Sequence, residues 1–217
     1  KDLLVSEAWS SGGNLITARD NLAGAGIQTA ALAFGGATPS LTTATEEYGG
    51  NGWSNGGNLG TARYKLAGAG TQTAGLAIGG GVPPSNTASG LTEEYGGTSW
   101  TAGGALSTAR KELAGCGTQT AGLAFGGRTT TLTNATEEYN GSSWTAGGNL
   151  GANKYLLAGA GIQTAGLAFG GFSGTALNAT EEYDGSSWTA GNNMGTAQYQ
   201  LGGAGIQTSA LGFGGSE

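Results

Sequence analysis

Apolar residues along this chain fall in short runs of about seven, broken by Gly, Asn and Ser, a length that suits strands better than helices. In each unit four such segments follow one another, as in YLLAGAG, TAGLAFGG after a Gly-Ile-Gln turn, NATEEYD, and SWTAGGN after Gly-Ser. Each predicts a strand.

The pattern recurs along the whole chain. LAGAGIQTAALAFGG at Leu22–Gly36 returns as LAGAGTQTAGLAIGG at Leu66–Gly80, LAGCGTQTAGLAFGG at Leu113–Gly127, LAGAGIQTAGLAFGG at Leu157–Gly171 and LGGAGIQTSALGFGG at Leu201–Gly215. The closing glycines are 44, 47, 44 and 44 residues apart, and Trp9, Trp53, Trp100, Trp144 and Trp188 keep the same spacing. Between each Gly-Gly and the next Trp stands Glu-Glu-Tyr, ending at Tyr48, Tyr95, Tyr139 and Tyr183. Helical repeats of this period are poor candidates, because interior Gly costs a helix about 1 kcal/mol per position. Four strands per unit and five units predict an all-β fold, a five-bladed β-propeller forming a single domain over residues 1–217. The units run approximately over 16–59, 60–106, 107–150 and 151–194, with 195–217 completed by 1–15.

The ends predict how the ring closes. The first two strands occur five times, but Glu-Glu-Tyr only four times, while Leu3–Leu15 supplies Trp9 with Leu4 at the Tyr position. A last blade of two C-terminal and two N-terminal strands is therefore expected, which removes open sheet edges.

An apolar run ending in Gly-Gly, then Tyr and Trp, as in Phe125-Gly126-Gly127, Tyr139 and Trp144, resembles the Kelch repeat. Arg19, Arg63, Arg110 and Lys154 stand where Kelch repeats often carry Arg. The resemblance implies four-stranded blades with the first strand nearest the axis, and covers nearly the whole chain. The Gly- and Thr-rich wording of the units also resembles repeats in tail-fibre and other structural proteins of marine bacteriophages. That likeness implies a virion or extracellular setting.

Small residues near a crowded axis fit the Ala-Gly-Ala-Gly runs, in which Ala25, Ala69, Cys116, Ala160 and Ala204 are equivalent. Cys116 then reads as a small buried thiol. Gly-Gly is expected to turn the backbone or pass close beneath aromatics. The five Trp and the four Tyr are expected to pack between blades. Adjacent strand glutamates point to opposite faces, so they form no catalytic pair, and one of each is expected to bond the Arg or Lys of a neighbouring unit. Gln28, Gln72, Gln119, Gln163 and Gln207 are expected to bond the backbone of their own turns.

Charge and composition narrow the function. Lys and Arg number 8 against 14 Asp and Glu, for a net charge of −6, so nucleic acid is not an expected partner. No apolar stretch reaches the about 18 residues of a membrane span, so membrane insertion is not expected either. His is absent, which removes the commonest general base and metal ligand. The Kelch resemblance extends to a copper oxidase, but that chemistry needs His ligands. No catalytic residue, metal site or cofactor is expected, and the chain reads as a non-enzymatic binding or structural module that contacts a protein or glycan surface. An intracellular protein-interaction role is the alternative the resemblance implies. Starting at Lys1 without Met, the sequence is expected to be part of a larger chain or assembly.

Residues that differ between near-identical units are the candidates for specificity, because the scaffold does not dictate them. Before the first strand stand Asp20, Tyr64, Lys111, Tyr155 and Tyr199, followed by Asn21, Lys65, Glu112, Leu156 and Gln200. After Gly-Gly the loops ATPSLTT, GVPPSNTASG, RTTTLTN and FSGTALN diverge as well. The Kelch resemblance implies that both connections emerge on one face, where Asp20, Tyr64, Lys65, Lys111, Arg128, Tyr155, Phe172 and Tyr199 are the candidate ligand contacts.

Overall fold

The computed structural model describes residues 9–217, and among these there are strands and turns but no helix. Four sheets of four antiparallel strands succeed one another along the chain, each an up-and-down meander. The first comprises Ala23–Ile27, Ala30–Phe34, Thr45–Tyr48 and Trp53–Asn55, and the second Ala67–Gly70, Gly75–Ile78, Thr92–Tyr95 and Trp100–Ala102. The third comprises Ala114–Gly117, Gly122–Phe125, Thr136–Tyr139 and Trp144–Ala146, and the fourth Ala158–Ile162, Ala165–Phe169, Thr180–Tyr183 and Trp188–Ala190. A hairpin of Tyr199–Ile206 and Ser209–Ser216 follows. Each first strand packs on the first strand of the next unit, ending at the hairpin, so the sheets are arranged as in a β-propeller.

The expected five blades are not all present: four are complete, and the fifth unit is two-stranded among the described residues. Closure by Leu3–Leu15 is likewise not seen. Residues 9–15 form no strand, and residues 1–8 lie outside the described residues.

Crowding between first strands explains the Ala-Gly repeats. A Cβ on Gly68 would stand 2.3 Å from the Gly24 carbonyl oxygen and 2.9 Å from Phe34 Cζ, so the second blade approaches the first only because no side chain intervenes. Above this contact the aromatics interlock. Trp100 packs on Phe34 of the preceding blade at 4.9 Å and on Tyr95 of its own at 4.9 Å, and Trp188 does the same with Phe125 and Tyr183. Phe34, Phe125, Tyr95, Tyr139 and Tyr183 are fully buried.

Polar groups stitch the same interfaces. Tyr95, Tyr139 and Tyr183 donate their hydroxyls to Glu47, Glu94 and Glu138 of the preceding blade, each at 2.5 Å. Burial, then the bond to the carboxylate, pushes the Tyr139 and Tyr183 hydroxyls up to about 12, which keeps them donors at neutral pH. Trp100, Trp144 and Trp188 donate Nε1–H to Thr45, Thr92 and Thr136. The glutamines differ from expectation. Gln72 Nε2 donates to the carbonyls of Ala31 and Tyr48, and Gln119, Gln163 and Gln207 repeat this bond onto the preceding unit. They clamp one blade to another rather than bracing their own turns, because the turn places the amide over two carbonyls at the end of the neighbour's second and third strands.

The first glutamate of each pair also departs from expectation, since its cation belongs to the same blade. Arg19 pairs with Glu46 at 3.1 Å, Arg63 with Glu93 and Arg110 with Glu137 at 2.8 Å, and Lys154 with Glu181 at 2.5 Å. The cation enters its blade from the segment before the first strand and reaches the third strand beneath the Gly-Gly turn. Arg63 also donates to the carbonyls of Gly79 and Leu91 at the strand ends, the second of which already accepts the Gly79 N–H.

Candidate binding rim

The segment that carries Arg or Lys into each blade continues into the first strand through a residue in the left-handed region. These residues are Asn21, Lys65, Glu112, Leu156 and Gln200, with φ between 50° and 57°. None is glycine, so each position carries a conformational cost of about 1–2 kcal/mol. The reason lies in the main chain. The turn aims the Lys65 N–H at the Asn21 carbonyl, the Glu112 N–H at Lys65, the Leu156 N–H at Glu112 and the Gln200 N–H at Leu156. A collar of backbone bonds thus links the units around the axis, and its side chains project into a cavity of about 650 Å³. Leu66, Leu113, Leu157 and Leu201 form its floor. A narrower channel of about 300 Å³, lined by Ala and Gly of the first strands, continues along the axis below.

The two variable connections do share this face. The residue before the collar pairs with the residue after Gly-Gly: Asp20 with Ala37, Tyr64 with Gly81, Lys111 with Arg128, Tyr155 with Phe172 and Tyr199 with Ser216. Seven of the eight candidate contacts are joined into an arc over the second to fifth units. Lys65 lies 5.5 Å from the Tyr64 ring and 2.6 Å from Glu112, and Arg128 also binds Glu112. Arg128 sits 4.7 Å over the Tyr155 ring, Tyr155 meets Phe172 edge-on at 5.8 Å, and Phe172 meets Tyr199 at 5.2 Å. Lys111 stands beside Arg128 and donates to the Asn86 carbonyl at 2.5 Å. Asp20 is exposed on the first unit, apart from these pairings.

Glu112 organises the arc, and its role was not evident among the variable residues. Only 4% exposed, it meets two cations from two units. Burial opposes ionisation, but the bonds to Arg128 and Lys65 win and hold its carboxyl below the usual range. Burial also lowers the Lys111 ammonium; Glu112 counters this, and Arg128 and Lys65 add to it. No sequence signal marks the left-handed turn except Asn21, since Lys, Glu, Leu and Gln rarely adopt it.

Cys116 takes an alanine position on a first strand, is 6% exposed, and burial pushes its thiol up to about 12. It carries no thiolate near neutral pH. No protein-family model matches the chain, and no curated protein is similar enough to count as a relative.

Proposed function

We propose that this chain is a non-enzymatic binding propeller that holds a glycan of another surface against its rim. The observation that carries the reading is the one-sided ladder Arg128–Tyr155–Phe172–Tyr199 beside an open cavity, built from the residues that vary while the scaffold repeats. Partly exposed aromatic rings offer flat apolar faces with polar edges, a surface that suits sugar rings. The likeness of the units to phage tail-fibre repeats supports an extracellular or virion-borne contact module. The test is a glycan-array screen of the wild type against a Tyr64→Ala, Tyr155→Ala, Tyr199→Ala variant. Bound glycans are expected to weaken at least about tenfold with thermal stability retained; an unchanged profile rejects the rim, and binding to protein surfaces alone supports a protein-interaction module instead.

We also propose that the N-terminal residues complete a fifth blade. Trp9 rests on Phe213 of the hairpin at 5.6 Å. From Gly13 onward the chain docks on the first blade as its counterparts do elsewhere: Ile16 N–H bonds Glu46 as Gly60 N–H bonds Glu93. Between the hairpin and the first blade the corresponding stitches are not found among the described residues. Asn21 N–H does not reach Gln200, Gln28 bonds no carbonyl of the hairpin, and Phe213 is 41% exposed where Phe34 and Phe125 are buried. Removing Lys1–Ala8 is expected to lower Tm by more than about 5 °C. An unchanged Tm would show that these residues close nothing.

A further inference from the structure

The proposed rim is also where the chain concentrates its uncommitted positive charge. Of its 8 Lys and Arg, Arg19, Arg63, Arg110 and Lys154 are consumed one to one by buried glutamates inside the blades, and Lys1 lies outside the described residues. The remaining three, Lys65, Lys111 and Arg128, are brought together on one face from two units. They share a single carboxylate, Glu112, so the cluster keeps an excess of two positive charges on a chain whose net charge is −6.

That arrangement is costly unless something offsets it. Glu112 alone does not neutralise three cations, and the Lys111 ammonium donates only to the Asn86 carbonyl, a neutral acceptor. Side-chain exposures of 22% at Lys65 and 35% at Arg128 leave both reachable from the solvent side. Glu112 meanwhile fixes Arg128 by two bonds, so its guanidinium plane is held over Tyr155 before any ligand arrives. The cluster borders the aromatic arc on one side and, through Lys65 and Glu112, the axial cavity on the other.

From this we infer that the rim selects anionic saccharides, its three cations taking the carboxylate or sulfate of a sugar whose ring lies on Tyr155, Phe172 and Tyr199. The inference rests on the glycan-binding reading above. It adds the ligand class, since a neutral sugar would use the rings but leave the cations unanswered. Arg128 and Lys111, cross-strand neighbours, supply the charge-assisted donors, and Lys65 adds attraction from the cavity side.

The test uses the whole chain and two probe pairs: a galacturonic acid hexamer with its methyl-esterified form, and a heparin-derived hexasaccharide with its desulfated form. Titration calorimetry at low and high NaCl is run on the wild type, on Lys111→Gln, which leaves both Glu112 partners in place, and on the aromatic triple variant. At least one charged probe is expected to bind about tenfold or more tighter than its neutralised partner, with the advantage shrinking as salt rises. Lys111→Gln is expected to erase most of that advantage by weakening the charged probe more than the neutral one, whereas the aromatic variant loses both. The pair that shows the preference tells carboxylate from sulfate. Equal binding of charged and neutral forms, or an equal loss of both in Lys111→Gln, overturns the anionic assignment and leaves the glycan rim standing. If neither these probes nor any array glycan binds the wild type, the rim reading falls and this inference with it.

Discussion

Arg110→Ala is expected to destabilise the chain by about 3–5 kcal/mol, the cost of leaving one partner of a buried ion pair alone. The Arg110 side chain is fully buried and donates to Glu137 Oε1 at 2.8 Å and to the Ala135 carbonyl at 2.6 Å, with a longer bond to Gly126 at 3.4 Å. Truncation strands the Glu137 carboxylate, whose other oxygen accepts only the Ser107 N–H, and removes one bond each from the Ala135 and Gly126 carbonyls, the first of which keeps the Gly126 N–H. Burial already lowers the Arg110 guanidinium from its ordinary value and Glu137 counters it, so each member is tolerable only with the other. The fourth blade supplies an internal comparison. Lys154 holds Glu181 from the equivalent place through a single ammonium bond. Arg110→Lys should therefore retain the pair and lose about 1–2 kcal/mol, roughly the worth of the carbonyl bonds. Urea denaturation of the two variants checks the ranking; equal losses for Ala and Lys would mean that the charge pair contributes little.

Gly79→Ala is expected to cost about 3 kcal/mol although it adds one methyl group. Gly79 has φ 61°, and a Cβ there would stand 2.6 Å from the Arg110 carbonyl oxygen and 3.3 Å from Leu113 Cδ2. The left-handed backbone alone costs Ala about 1–2 kcal/mol. The rest comes from displacing a carbonyl that accepts the Gly80 N–H at 3.0 Å and so joins the second blade to the third. Gly49→Ala is the control, because its Cβ would meet nothing within 4 Å. That variant should stay within about 0.5 kcal/mol of the wild type. Equilibrium unfolding separates the two, and a neutral Gly79→Ala would mean that the interface yields more readily than its geometry indicates.

The strands of each unit were legible from periodicity, since an apolar run closed by Gly-Gly can be read in a single unit and confirmed in four others. Burial of Cys116 followed from its alignment with alanines. The face shared by Lys111, Arg128, Tyr155 and Phe172 was legible through the resemblance to Kelch blades, in which the connections before the first strand and after the second emerge together. Partner choice was not. Glu46 and Glu47 are adjacent and chemically identical, and only the pleat decides that one meets Arg19 within its blade while the other takes Tyr95 from the next. The Gln72 amide has no sequence neighbour among its acceptors, Ala31 and Tyr48, because the interface that presents them exists only after the blades pack. Closure was the least legible feature, as a missing Glu-Glu-Tyr identifies an incomplete blade without fixing what pairs with it.

The collar around the cavity divides its labour by atom type. Its linkage is made by N–H and C=O groups, which every residue but Pro possesses, while the side chains at Asn21, Lys65, Glu112, Leu156 and Gln200 take no part in that linkage. Those five places therefore behave as interchangeable cassettes: an amide, an ammonium, a carboxylate and an alkyl group already occupy equivalent seats in one molecule. A repertoire of mouths with different ligand preferences can be written on this scaffold by exchanging collar residues and their rim neighbours, with the blades beneath left unedited.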